Sequence, residues 1–113
     1  MMTIEQELRA SAGVLALAGR MDADQAGLFE AACSSLAAQG AKHLVVDLAK
    51  LEYVSSMGIR AFLTAAKSRE AAGARLVLVN LGGFVKQVFD MTRLTPLFQT
   101  ADSVEAAIQS LES

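Results

Sequence analysis

The chain has 113 residues, of which 53% are hydrophobic and 19% are charged, and its formal net charge is −2. Its length fits one domain spanning residues 1–113, and its one cysteine excludes a disulfide-stapled secreted scaffold. The near-neutral charge balance, with an isoelectric point near 5.3, argues against a dedicated nucleic-acid binder, which carries a basic excess.

The N-terminal part of the chain has the pattern of a β-hairpin. Residues 4–10 alternate between a face that contains Ile4 and Leu8 and a face of charged side chains. An apolar run follows at 14–18, and the small and polar residues at 11–13 are typical of a turn. We therefore expect two antiparallel strands joined at 11–13, the second of which ends at Gly19.

After the hairpin, the sequence predicts a helix followed by buried strands. Asp22 and Gln25 form an acidic variant of the capping box, which predicts the start of a helix that ends near Gly40. Two short apolar runs, 43–48 and 76–79, are typical of buried parallel strands. Segments of helical periodicity flank both runs, so we expect these strands to pair in parallel.

Helical periodicity returns in three later segments. Apolar residues at 59–66 predict a helix that Gly73 closes, and a third helix is expected after residues 82–83. Residues 97–100 are compatible with a short last strand, and the capping box at 102–105 begins a C-terminal helix. This order predicts an α/β fold with a mixed sheet of four to five strands and about four helices.

The high mean hydropathy, +0.38, is spread over short segments. The longest apolar run, residues 14–18, is far below the ~20 residues that a membrane-spanning helix needs. Glu5 and Glu7 do not fit the start of a signal peptide, which carries positive charge. The sequence therefore predicts a cytoplasmic protein with no direct membrane insertion.

Two serines precede the helix that follows the strand at 43–48, where functional sites of open α/β sheets concentrate. Either Ser55 or Ser56 can cap that helix by accepting a hydrogen bond from a backbone N–H. The same helix N-terminus favours an anion, and Gly58 is expected to leave the backbone uncovered there. Composition alone favours a simple capping serine over a functional one.

Other polar candidates have simple structural explanations. Cys33 lies on the apolar stripe of the first helix, so we expect an inert, buried thiol. His43 opens a strand with no second His or Cys for a metal site, and is expected to be a solvated histidine at a strand end. Asp47 is explained at least as well by structural hydrogen bonds as by a site. Arg60 and Arg93 are candidates for contacts with acidic groups of a partner, but solvated surface charges are the preferred explanation.

The motifs do not support an enzyme. Residues 54–58 lack the leading glycine of a GxSxG elbow, and His43 is expected to lie a strand length from the serines, which disfavours a Ser–His nucleophile. Gly82 and Gly83 precede a helix without a GxxxxGK[ST] or GxGxxG motif. The sequence thus indicates a binding module with no catalytic residue, cofactor or metal.

Two segments, 44–48 (LVVDL) and 53–60 (YVSSMGIR), resemble the signature of STAS domains. The likeness is closest to bacterial anti-sigma factor antagonists of the SpoIIAA and RsbV type. Residues 19–22 resemble the strand-to-helix turn of that family, and residues 89–94 with Phe98 resemble its C-terminal segment. The resemblance spans nearly the whole chain and implies a single STAS domain.

This resemblance implies partner switching in transcription regulation. In the family the serine two positions before the invariant glycine is the phosphoacceptor, and here that residue is Ser56 because Gly58 sets the register. The unmodified protein is then expected to bind an anti-sigma factor that is also a serine kinase. Phosphorylation would end that binding, and a PPM-type phosphatase would reverse it. The residues expected to contact the partner are Asp22, Ser55, Met57, Gly58 and Arg60.

The chain departs from the family pattern at two positions. The sporulation branch has an acid where Ser55 stands, and a small residue is usual where Met57 stands. Ser55 is therefore a second hydroxyl that could compete as acceptor, and Met57 adds an adaptable apolar side chain to the surface. An alternative function in the same fold stays open: a non-phosphorylated adaptor, for example the cytoplasmic subunit of a lipid-transport ABC system.

Overall fold

The computed structural model describes residues 1–112, which form five strands and four α-helices. The strands are β1 (Met2–Arg9), β2 (Ala12–Met21), β3 (His43–Val54), β4 (Leu76–Val79) and β5 (Gln99–Ala101). The α-helices are α1 (Ala26–Ala38), α2 (Ser56–Ala71), α3 (Gly83–Met91) and α4 (Val104–Glu112). Short 3-10 turns lie at Ala23–Gln25 and Thr95–Leu97.

The strands form one sheet in the order β1-β2-β3-β4-β5. The first pair is antiparallel because a tight turn joins β1 to β2, and the other three pairs are parallel. A helix connects each parallel pair, as parallel strands require a long crossover. The predicted α/β fold with a mixed sheet is therefore confirmed.

Helices cover both faces of the sheet, and each face has its own core. On one face the rings of Phe29 in α1 and Phe62 in α2 meet edge to face at 4.9 Å, and Phe62 stacks on Phe89 of α3 at 6.2 Å. On the other face Ala107 and Leu111 of α4 pack against the valines of β3 and β4. Successive strand residues point to opposite faces, which explains the continuous apolar runs of these strands.

Strand β3 is longer than the sequence predicts. The apolar run ends at Leu48, but the strand continues to Val54 and pairs over this extension with β2, where Lys50 lies opposite Ala18. Charged residues interrupt the apolar run here because the extension lies beyond β4, which pairs only with residues 44–47. The extension carries the chain past the body of the sheet to the start of α2.

The hairpin also differs from the prediction. Its turn lies at residues 10–11 rather than 11–13, with Ala10 in the left-handed region at φ 54°. Strand β2 does not end at Gly19 but continues to Met21. Gly19 is instead the site of a register irregularity at φ 95°, and a Cβ there would overlap the carbonyl oxygen of Met1.

Two predicted helix caps are wrong in detail. Asp22 precedes the 3-10 turn, but its carboxylate caps no backbone N–H; only its backbone carbonyl accepts, from the Gln25 N–H at 3.1 Å. The cap of α4 is Ser103, whose Oγ accepts from the Ala106 N–H at 3.1 Å, rather than Asp102. The last strand begins at Gln99 rather than residue 97, because the preceding residues form a proline-containing 3-10 turn.

Candidate functional site

The site lies where β2 and β3 end side by side and α2 begins. The Ser55 N–H donates to the Met21 carbonyl at 2.8 Å, which joins the ends of the two strands. Ser55 has extended backbone, and its Oγ accepts from the Gly58 N–H at 3.2 Å. The capping function predicted for one of the two serines therefore belongs to Ser55, whose hydroxyl is part-buried in this role.

Ser56 differs sharply from its neighbour. It is the first residue of α2, its side chain is exposed, and its hydroxyl makes no hydrogen bond to any other residue between 1 and 112. The positive end of the helix dipole is adjacent. Of the two serines, Ser56 thus presents an oxygen that is accessible and not committed to the fold.

The prediction that Gly58 leaves the backbone uncovered is wrong. Gly58 is buried, and its N–H is occupied by Ser55. A Cβ at this position would lie 2.7 Å from Val54 Cγ2 and 3.3 Å from the Met21 carbonyl oxygen. The glycine is therefore required because the first turn of α2 packs directly onto the ends of β2 and β3.

The other predicted contact residues lie around this helix start. Met57 is 45% exposed, and Arg60 is exposed on the next turn of α2. Asp22 is half-buried; it directly follows Met21, and the 3-10 turn after it contacts α2. An open groove of about 230 Å³ runs beside α2, and its lining residues are Ser56, Ile59, Arg60, Leu63, Thr92 and Leu94.

A second cluster at the same edge has no counterpart in the sequence predictions. The Arg20 guanidinium carbon lies 4.3 Å from the centre of the Tyr53 ring, which stacks on Phe84 at 6.1 Å. Phe84, in the first turn of α3, is 53% exposed. Tyr53 lies within the recognised motif, but its pairing with Arg20 depends on the register irregularity at Gly19, and its contact with Phe84 depends on the placement of α3.

Two of the remaining candidates serve the fold. Asp47 Oδ1 accepts from Asn80 Nδ2 at 2.9 Å and from the Ala49 N–H at 3.0 Å, so it fixes the junction of β3 and β4. Cys33 is half-buried, and burial raises the pKa of its thiol to about 12, which makes it a poor nucleophile. Arg93 is exposed.

The prediction of a solvated His43 is wrong. The residue is only 7% exposed, and its Nδ1 accepts from the Arg75 N–H at 3.1 Å. Burial lowers the pKa of His43 below its ordinary value, and the charges of Lys42 and Arg75 lower it further. The histidine is therefore a structural acceptor at the amino end of β3, far along the strand from the serines.

Two features of the described residues concern metal sites and membrane-spanning helices. From Met1 to Glu112 there is no group of three His, Cys, Asp or Glu side chains that could hold a metal ion. None of the helices described combines the length and apolar character needed to cross a membrane.

Comparisons with known proteins agree with this geometry. A family model described as STAS domain matches residues 3–107. The candidate anti-sigma factor antagonist BtrV of Bordetella bronchiseptica is 31% identical over 100 residues, 88% of this chain and 86% of that protein. The structure of the anti-sigma factor antagonist SpoIIAA in its unphosphorylated form is similar with a TM-score of 0.82 and 25% identity, over 97% of this chain and 96% of that one. The phosphorylated form of SpoIIAA, a Bacillus cell fate determinant, gives 0.72 and 24% identity over 96% and 98%.

Proposed function

The chain belongs to the STAS domain family, and from this premise we propose that it is an anti-sigma factor antagonist switched by phosphorylation of Ser56. The unmodified protein binds an anti-sigma factor that is also a serine kinase. That kinase transfers the γ-phosphoryl group of ATP to Ser56 Oγ, which loses its proton as ADP leaves. A PPM-type phosphatase hydrolyses the phosphoester back to serine and inorganic phosphate.

The contrast between the two serines is the observation that carries this proposal. A kinase needs a hydroxyl that it can reach, and Ser56 Oγ is exposed with no intramolecular partner among residues 1–112. Ser55 Oγ is held by the Gly58 N–H, so its modification would remove a helix cap. A lost N-cap costs about 1 kcal/mol. Ser56 is therefore the acceptor that can turn over without disturbing the fold.

Phosphorylation at this position changes the surface more than the fold. A phosphate adds about −1.5 to −2 charges, and the start of α2 stabilises an anion through its dipole. The neighbouring Met57 is 45% exposed, so the surface next to the phosphate is partly apolar. A partner docking here would have to desolvate the dianion or meet it with like charge, at a cost of several kcal/mol. Each ~1.4 kcal/mol is a tenfold loss of affinity.

Two of the remaining contact residues are exposed, and the other three lie beside or beneath them. Met57 and Arg60 offer the partner an adaptable apolar side chain and a cation on adjacent turns of α2. Asp22 and Ser55 border them at the strand ends. Gly58 lies beneath these residues and positions them indirectly. Because it has no side chain, α2 can approach β3 closely.

The test combines capture of the partner with mapping of the modified residue. The wild type and the variants Ser56→Ala and Ser56→Asp are used as baits, the captured kinase is purified, and its affinity for each bait is measured by calorimetry. We expect Ser56→Ala to bind like the wild type and Ser56→Asp to bind at least tenfold more weakly. Incubation with the kinase and ATP should label Ser56 in the wild type and leave Ser56→Ala unlabelled.

Ser68→Asp is the matched control, because it adds the same charge at an exposed serine of the same helix. It should bind like the wild type. Equal affinity of the wild type and Ser56→Asp would contradict the switch and favour the non-phosphorylated adaptor. A label on Ser55 with Ser56 unmodified would contradict the assignment of the acceptor.

A further inference from the structure

We infer that Arg60 is the internal counter-ion of a phosphate on Ser56, so that phosphorylation adds an anion to the binding surface and also withdraws a cation from it. The inference rests on the proposed function for the modification itself. The pairing depends on the geometry of α2 alone.

The spacing of the two residues brings their side chains together. Ser56 and Arg60 are four positions apart on α2, and side chains at this spacing are neighbours, with about 5–6 Å between their Cβ atoms. Both line the same groove beside the helix. An acid that lies N-terminal to a base at this spacing is the more favourable order, because each charge then complements the helix dipole.

Arg60 is available for this pairing. Its side chain is exposed, and within residues 1–112 it forms neither an ion pair nor a side-chain hydrogen bond. A guanidinium group presents a planar fork of donors that matches the oxygens of a phosphate. The cation next to Ser56 therefore has no competing intramolecular partner in the described structure.

Helix α3 provides an internal reference for such a pair. Lys86 Nζ lies 2.6 Å from Asp90 Oδ2 at the same spacing on an exposed helix face, although here the base precedes the acid, which is the less favourable order. Hydrogen bonds from Lys86 and Thr95 lower the pKa of Asp90 below its ordinary value. A phosphoserine reaches further than an aspartate and carries more charge. Because side chains at this spacing form an ion pair on α3, a phosphate on Ser56 and the guanidinium group of Arg60 can form one on α2.

The pairing gives Arg60 a different contact in each state. In the unmodified protein the guanidinium group is free to meet an acidic group of the partner. In the phosphorylated protein it is held by the phosphate oxygens, and the partner loses that contact. Phosphorylation then weakens binding by two routes, the added anion and the captured cation.

The test uses protein in which phosphoserine is inserted at position 56 during translation, so no kinase is needed. The second pKa of the phosphate is measured by ³¹P NMR titration in the otherwise wild-type chain, in Arg60→Gln and in Lys67→Gln. Lys67 is exposed on the same helix three turns from Ser56, so its variant removes the same charge at a distance. We expect Arg60→Gln to raise this pKa by about 0.3 unit and Lys67→Gln to leave it nearly unchanged.

Two further measurements make the outcome specific. Arg60→Lys should keep the second pKa of the phosphate close to its wild-type value, because the lysine keeps the positive charge at the same position. Salt at 1 M should abolish the difference between the wild type and Arg60→Gln, since the screening length falls to about 3 Å. Equal pKa values in Arg60→Gln and Lys67→Gln would overturn the inference and leave the proposed function intact. If no kinase modified Ser56, the proposed function would fail while this titration still tested the pair.

Discussion

The two ends of β3 use their polar groups in opposite ways. At the amino end His43 accepts from the Arg75 N–H, and the N–H groups of Lys42 and His43 both donate to the Ser11 carbonyl, at 2.8 and 3.1 Å. The backbone and the imidazole are thus satisfied within the chain. A substitution at this end should change stability and leave recognition unaffected.

At the carboxyl end, the same strand leads into a surface whose side chains have few partners. Ser56, Met57, Arg60 and Phe84 are exposed there, while Gly58 lies buried beneath them. This end therefore has two layers, a packed support and an exposed surface. The same strand thus runs from a hydrogen-bonded, packed amino end to a carboxyl end where exposed side chains lie over a packed support.

Gly58→Ala is expected to have the largest effect on stability, because it acts on that support. The new Cβ would lie 2.7 Å from Val54 Cγ2, so α2 must move away from the strand ends. Overpacking of this kind costs about 1–3 kcal/mol. Urea denaturation should show this loss in the free energy of unfolding.

Gly27→Ala is the control for this prediction. Gly27 lies near the start of α1, and a Cβ there would meet no heavy atom within 4 Å. Alanine should therefore be neutral or stabilise the protein by up to about 1 kcal/mol. Equal losses in the two variants would mean that the carboxyl end of β3 is not tightly packed.

Acidification is expected to weaken the amino end through His43. Because burial lowers the pKa of the folded histidine, the unfolded chain takes up a proton first as the pH falls below about 6.5. The contribution of His43 is therefore complete above pH 6.5 and is lost as the pH falls through the lowered, folded-state pKa. One group limits the slope to about 1.4 kcal/mol per pH unit.

The measurement is urea denaturation between pH 7.5 and 5, with His43→Gln as the comparison. His43 is the only histidine in the chain, so this range isolates its titration from that of the carboxylates. We expect the free energy of unfolding to decline with acid in the wild type and to stay nearly flat in the variant. If the free energy of unfolding declined equally with acid in the two proteins, a group other than His43 would cause the acid sensitivity.

The sequence predicted the architecture well because its signals are local. The alternating hairpin, the apolar runs of β3 and β4 and the stripe on α4 each depend on neighbouring residues. The extension of β3 was missed because Lys50 and Glu52 interrupt the apolar run, although the buried Leu51 lies between them. Period-two patterns survive charged residues, whereas a search for continuous apolar runs does not detect them.

The site was predictable in part. The motif located the two serines, but it could not tell which of them caps the helix, because that depends on how the chain turns after Val54. His43 was misjudged because its partner, the Arg75 N–H, is 32 residues away along the chain. The stacking of Phe84 on Tyr53 likewise depends on the placement of α3 beside β3. Contacts of this kind appear only in the folded structure.

The smallest expected effects on stability come from the two adjacent serines, one of which belongs to the packed support and the other to the exposed surface. Ser55→Ala removes the oxygen that accepts from the Gly58 N–H and should cost about 1 kcal/mol, as N-cap losses do. Ser56→Ala removes an exposed hydroxyl with no partner among residues 1–112 and should change stability by less than about 0.5 kcal/mol. Urea denaturation of the two variants, measured side by side, checks the order. The reverse order would place Ser56 in the support of α2, and a phosphate there would then disturb the start of the helix as well as the surface above it.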